Sequence, residues 1–159
     1  ELVGSVASEV SNETHLPLLV IPEKAVLKGV EEVKNVLYTT NFDDCDFVAI
    51  RKLISITSNF NVNIYCIHVS DDPDNAAIKA KMNSLKEYFN EVSPKSNVEC
   101  AVIKGKDLVK AYKEYIVEKK INLVALTVEK RNLIYKIINP SITKKMLYQS
   151  EVPVLLFHA

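Results

Sequence analysis

Five short apolar runs, each parted from the next by a segment of helical periodicity, restrict this chain of 159 residues to a narrow class of folds. The runs are Lys34 to Thr39 (KNVLYT), Asn61 to Val69 (NVNIYCIHV), Asn97 to Ile103 (NVECAVI), Asn122 to Thr127 (NLVALT) and Val152 to His158 (VPVLLFH). Most are nearly continuous in apolar residues, the pattern of strands covered on both faces. The segments between them carry apolar stripes at helical spacing: Phe47, Ile50, Leu53 and Ile54, then Ile78, Met82, Leu85 and Phe89, then Leu108, Ala111, Tyr112, Tyr115 and Ile116. Ser141 can cap a further helix running to about Ser150. Strands alternating with helices imply right-handed crossovers and a parallel α/β sheet. Such a sheet holds ligands at the C-terminal ends of its strands, near the point where the strand order reverses.

Charge excludes two classes of partner. Twenty basic and twenty acidic side chains cancel, so no net field draws the chain to nucleic acid or to an anionic membrane. The longest apolar runs, such as Leu16 to Ile21, fall far short of the roughly 20 residues of a membrane span. No basic stretch, apolar core and small-residue cleavage site opens the sequence, so no signal peptide is expected. Cys45, Cys66 and Cys100 are odd in number and widely spaced, with no neighbours at metal-ligand spacing. They are expected to be reduced thiols in a cytoplasmic protein, with Cys66 and Cys100 in strands.

The first 22 residues break the alternation and repeat the end of the chain. Gly4 to Pro22 (GSVASEVSNETHLPLLVIP) can be laid over Pro140 to His158 (PSITKKMLYQSEVPVLLFH) at a constant offset of 136. Ser5 then falls on Ser141, Pro17 on Pro153 and Leu19 on Leu155. Val6/Ile142, Val10/Met146, Leu16/Val152, Leu18/Val154, Val20/Leu156 and Ile21/Phe157 exchange one apolar residue for another. A cap, a helix, a proline and an apolar strand recur in one order. Residues 1–22 are therefore expected to be the last helix and strand of a preceding domain of the same kind. Residues 23–32 would be a linker that spans at most ~35 Å, and 33–159 the domain itself. Leu18, Leu19, Val20 and Ile21 are expected to pair antiparallel with Val154, Leu155, Leu156 and Phe157, in the same molecule or across a dimer. Such pairing covers an apolar edge that otherwise invites aggregation.

The segments VLYTTNFDD (Val36 to Asp44), IHV (Ile67 to Val69) and SITKKMLYQSEVPVLLF (Ser141 to Phe157) together resemble the universal stress protein family across residues 33–159. The N-terminal repeat resembles the closing motif of another such domain, so the whole is similar to the C-terminal half of a tandem universal stress protein. The resemblance implies a Rossmann-like open five-stranded parallel sheet of order 3-2-1-4-5 with helices on both faces. It also implies dimerisation through last strands, as a homodimer or as an intramolecular pseudo-dimer.

That family contains members that bind ATP and members that do not. Binders carry G-x2-G-x9-G-[ST] after the fourth strand, and usually an Asp after the first. Glycines let backbone approach phosphate oxygens, and N–H groups at a helix start bind the anion. Here the span survives but the glycines do not: their positions are Thr127, Lys130 and Pro140. Each replacement adds a Cβ, and Pro140 also removes a donor. Asn41 stands at the aspartate position, while Thr39, Thr40, Val69, Ser141, Ile142 and Thr143 still match binding positions. Gly4 and Ser5 match the motif's last two residues for the missing half. This half is expected to hold no cofactor, with ATP as the alternative.

Asp43, Asp44 and Asp46 could suggest a cation, but acidic residues at a helix start account for them. Asp71, Asp72 and Asp74 around Pro73 read as a loop and helix cap. His68 reads as a satisfied histidine, since no nucleophile pattern accompanies it. Cys45 would lie at the mouth of the site, with no nearby cation to lower its pKa. Lys130, Arg131, Lys136, Lys144 and Lys145 read as a solvated face, or else as an anion site working by charge. The expectation is a non-catalytic stress-response module acting through protein contacts. The alternatives are an ATP-binding nucleotide switch and, for want of a nucleophile–base pair less favoured, a small α/β hydrolase or transferase.

Overall fold

In the computed structural model, which describes residues 10, 14–25, 27, 29–128 and 151–158, the apolar runs form one six-stranded sheet. The strands are β1 (Leu18–Val20), β2 (Asn35–Thr39), β3 (Asn63–Ser70), β4 (Asn97–Lys104), β5 (Leu123–Val128) and β6 (Val154–His158). The helices are α1 (Asp44–Thr57), α2 (Ala76–Val92) and α3 (Leu108–Glu118), with a 3-10 turn at Val30–Glu32. The order is β1-β6-β5-β2-β3-β4. Every pairing from β6 to β4 is parallel, and only β1 on β6 is antiparallel. Counted without β1, this is the expected 3-2-1-4-5. The expected helix from Ser141 to Ser150 and residues 1–9 lie outside the described residues.

The sheet buries both faces, as continuous apolar strands require. Ile50 and Leu53 of α1 and Met82, Leu85 and Phe89 of α2 pack on one face, against Val36, Tyr38, Ile64, Cys66 and Phe157. Ala111, Tyr112 and Tyr115 of α3 pack on the other, against Leu37, Ile67, Val124 and Leu156. Successive strand residues point to opposite faces, so Leu37 and Tyr38 serve different cores.

Side chains at the strand and helix ends fix the register. β2, β3 and β4 each begin with an asparagine, and Asn35, Asn63 and Asn97 are partners across the sheet. Asn97 donates to the Asn63 side chain, and Asn63 to that of Asn35 at 2.8 Å. Asn35 in turn donates to the Lys119 and Lys120 carbonyls at the end of α3. Asn122, just before β5, accepts from the Lys34 and Asn35 amides and donates to the Glu32 carbonyl. β2 and β3 thus start one and two residues later than expected, at Asn35 and Asn63, while β4 starts at Asn97 as expected. Lys120 takes the left-handed conformation (φ 51) that ends α3, while the Ile121 amide reaches back to the Ile116 carbonyl. The Asn75 side chain caps α2 by accepting from Ala77 and Ile78. The expected acidic cap is thus corrected: Asp71, Asp72 and Asp74 supply the loop, and the next residue supplies the cap.

At the other edge Leu18, Leu19 and Val20 face Leu156, Leu155 and Val154. The antiparallel pairing expected from the repeat forms within one chain. Ile21 falls outside the strand, a small correction with a plain cause. Its partner in this register is Pro153 and it is followed by Pro22, and neither proline has an N–H to extend the ladder. Leu18 and Val20 turn inward onto the α3-side core. Leu19 and Ile21 stay exposed. Replacing Leu18 and Val20 together with aspartate should lower the urea midpoint and make association rise more steeply with concentration by light scattering, because it bares the β6 edge. An unchanged midpoint and unchanged association would mean that β1 covers nothing of consequence.

Candidate functional site

The strand order reverses between β5 and β2: the chain moves from β2 to β3 on one side and from β5 to β6 on the other. Thr39, Thr40 and Asn41 at the end of β2, Val69 near the end of β3 and Thr127 near the end of β5 converge at this switch point. Lys130, Pro140, Ser141, Ile142 and Thr143, from the same expected set, lie outside the described residues.

One carboxylate organises the described half of the site. Asp46, in the first turn of α1, is 4 % exposed. Its Oδ1 accepts from the Tyr38 hydroxyl at 2.7 Å, and its Oδ2 from the Thr40 hydroxyl at 2.6 Å. Oδ2 also accepts from the Asn41 amide at 3.0 Å and the Asp43 amide at 3.2 Å. A buried carboxylate needs such donors, because leaving it unpaired costs several kcal/mol. The acidic helix start expected from the sequence is present, and Asp46 is the member turned inward. Its importance was missed. The available signal was the Asp43-x-x-Asp46 spacing of a helix cap, together with a tyrosine in a buried strand whose hydroxyl needs a partner.

The network has a direction. Tyr38 has one proton and gives it to Asp46, which only accepts. The Thr127 hydroxyl, 2.7 Å from the Tyr38 oxygen, must therefore donate to Tyr38. Thr127, expected from the resemblance at the motif's first glycine position, has its proton already committed inward. Its hydroxyl therefore has no proton left for a phosphate. Thr40 is likewise committed: it donates to Asp46 and accepts from the Phe42 amide at 2.9 Å.

The residues around this network are also held. Phe42 adopts φ 64, a strained conformation for an aromatic residue. Its ring lies 4.6 Å from that of His68, and Lys81 Nζ sits 5.9 Å from its centroid. His68 Nδ1 donates to the Thr40 carbonyl at 2.8 Å, which makes it a satisfied rim histidine. Val69 packs against Gly105, where an added Cβ would come within 3.0 Å of it. Thr39 lies on the α3 side of β2, where it lowers the Tyr112 phenol against the rise from burial. Asn41 is exposed and uses its backbone inward. Among the described residues, no group of three His, Cys, Asp or Glu could hold a metal ion.

A family model described as the universal stress protein family matches residues 32–158. The chain belongs to the universal stress protein family. Solved structures agree in fold. A universal stress protein from Archaeoglobus fulgidus DSM 4304 is 17 % identical with a TM-score of 0.76, over 96 % of this chain and 53 % of its own. This chain thus spans about half the length of that protein. A universal stress protein solved in complex with cAMP is 20 % identical, with a TM-score of 0.64 over 79 % of this chain and 96 % of its own. A family protein from Burkholderia pseudomallei is 11 % identical, with a TM-score of 0.57 over 82 % and 99 %. No curated protein sequence matches the chain significantly. Among the described residues no helix is long and apolar enough to cross a membrane.

Two outcomes follow from the network. Asp46→Ala strands the Tyr38 and Thr40 hydroxyls and should cost on the order of 3 kcal/mol in urea unfolding; a loss below ~0.5 kcal/mol, the scale of a neutral surface change, would show that the carboxylate is dispensable. The second concerns alkali. Burial, followed by the nearby Asp46 charge and partly offset by Thr39, pushes the Tyr112 phenol up to about 12. Burial also raises Tyr38 and Tyr115. The folded state holds these protons more tightly than the unfolded state, so stability should fall as pH rises above the ordinary tyrosine value of ~10. For Tyr112 the fall should continue to about pH 12. Tyr112→Phe should flatten this slope in denaturation series at rising pH, whereas an identical slope would remove Tyr112 from the account.

Proposed function

We propose that this chain is a non-catalytic stress-response module that works through protein contacts and carries a degraded nucleotide site. The observation that carries this reading is the commitment of Thr127, Tyr38 and Thr40 to Asp46 at the switch point. A nucleotide phosphate is an acceptor and needs donors. Here the described hydroxyls at the switch point donate inward, and Thr127, Lys130 and Pro140 stand where the motif has glycines. The network also presents no nucleophile activated by a base, which supports a binding role over turnover.

In this reading residues 1–22 are the last helix and strand of a preceding domain, 23–32 a linker, and the chain acts in the cytoplasm. The exposed Leu16, Leu19 and Ile21 beside β1 then form part of a contact surface with a second copy or with that preceding domain. The match to only 53 % of the Archaeoglobus protein is consistent with a larger whole.

A second reading is a nucleotide-binding switch, favoured by the similar universal stress protein solved with cAMP. Calorimetric titration with ATP and Mg2+, and separately with cAMP, discriminates the two. No heat of binding at high micromolar nucleotide is expected. Micromolar affinity for either ligand would overturn the degraded-site reading in favour of the switch.

A further inference from the structure

Cys66 on β3 and Cys100 on β4 are direct partners across two parallel strands. Each lies three residues beyond the asparagine that starts its strand, so the Asn63–Asn97 pair that sets the register also sets the cysteines side by side. Neighbouring strands run about 4.8 Å apart, inside the roughly 4.4–6.8 Å that Cα atoms of a disulfide require. Both side chains point to the face covered by α1 and α2. The register and the shared face set the two thiols next to each other. They differ in access: Cys66 is fully buried, and Cys100 is half-buried on the outermost parallel strand.

We propose that Cys66 and Cys100 form a peroxide-oxidisable dithiol, with Cys100 attacking and Cys66 resolving. In the first step Cys100 Sγ attacks one oxygen of hydrogen peroxide. The O–O bond breaks, the thiol proton leaves with the other oxygen as water, and Cys100 becomes a sulfenic acid. In the second step Cys66 Sγ attacks Cys100 Sγ and the S–O bond breaks. The hydroxyl departs as water with the Cys66 proton. Two thiols and one peroxide thus give one disulfide and two waters, with two electrons passing from sulfur to oxygen.

The local electrostatics favour this division of labour. Interaction with the neighbouring Cys66 thiol holds the Cys100 thiol below its ordinary value, with help from the Lys86 charge and against burial and Glu99. The same interaction, with burial, pushes Cys66 up. A half-buried thiol with a lowered pKa beside a fully buried partner is the arrangement of a redox-sensing pair. The product ties the outer strand β4 to β3. None of this depends on the nucleotide question.

The test treats the folded full chain with hydrogen peroxide, blocks remaining thiols and maps tryptic peptides. Trypsin separates the three cysteines: Cys66 falls in residues 53–79, Cys100 in 96–104 and Cys45 in 35–51. The expected product is the 53–79/96–104 pair joined with loss of two hydrogens, formed in monomer-sized material and reversed by dithiothreitol. Cys66→Ser should instead leave Cys100 as a sulfenic acid that dimedone traps. Should that variant fail to fold, the parent map alone decides. The proposal is overturned if peroxide leaves Cys100 alkylatable, oxidises it to sulfinic acid without the cross-link, or joins it to Cys45.

Discussion

The Asp46 carboxylate is the point on which the switch-point architecture depends. It sits on the first turn of α1, yet its partners come from the end of β2 and the loop that follows. Through Tyr38 the same network reaches β5. One buried charge thus ties together the strand, the turn and the helix that a parallel α/β fold must join at its ligand-binding edge. Removing the charge from water is costly, so its donors cannot be released individually. The strained backbone of Phe42 is a consequence: the turn must deliver the Asn41 and Asp43 amides to one oxygen within five residues of chain.

This constraint links fold to function. The switch point of such a sheet ordinarily offers free donors to a ligand. In this member of the universal stress protein family the described hydroxyls there, those of Tyr38, Thr40 and Thr127, are engaged by the protein itself. The opposite end of the sheet is closed in a comparable way by the asparagine row, which carries hydrogen bonds from β4 to the end of α3. The row sets the β3–β4 register and with it the pairing of Cys66 and Cys100.

Sequence patterning anticipated the layers and strand order because parallel strands buried on both faces must be almost wholly apolar. The 136-residue repeat anticipated the antiparallel β1–β6 pair, since an apolar strand copied without its sheet must find an edge. What escaped notice depends on side-chain direction rather than period. Asp43, Asp44 and Asp46 look alike as letters, and only the start of α1 turns the last of them inward. Tyr38 reads as one more apolar residue of β2, and nothing in the period says where its hydroxyl points. Asn35, Asn63 and Asn97 were visible at the starts of three strands, but their meaning emerges only once the strands lie side by side.

The central claim is that, among the described residues, the Thr127, Tyr38 and Thr40 hydroxyls at the switch point are committed to Asp46 rather than to a nucleotide. A crystal structure grown with ATP and Mg2+ in excess tests this most directly. The account predicts an intact Thr127–Tyr38–Asp46–Thr40 relay with no nucleotide above it. Ordered phosphates at the ends of β2 and β5, with the Thr127 or Thr40 hydroxyl turned outward to meet them, would contradict it.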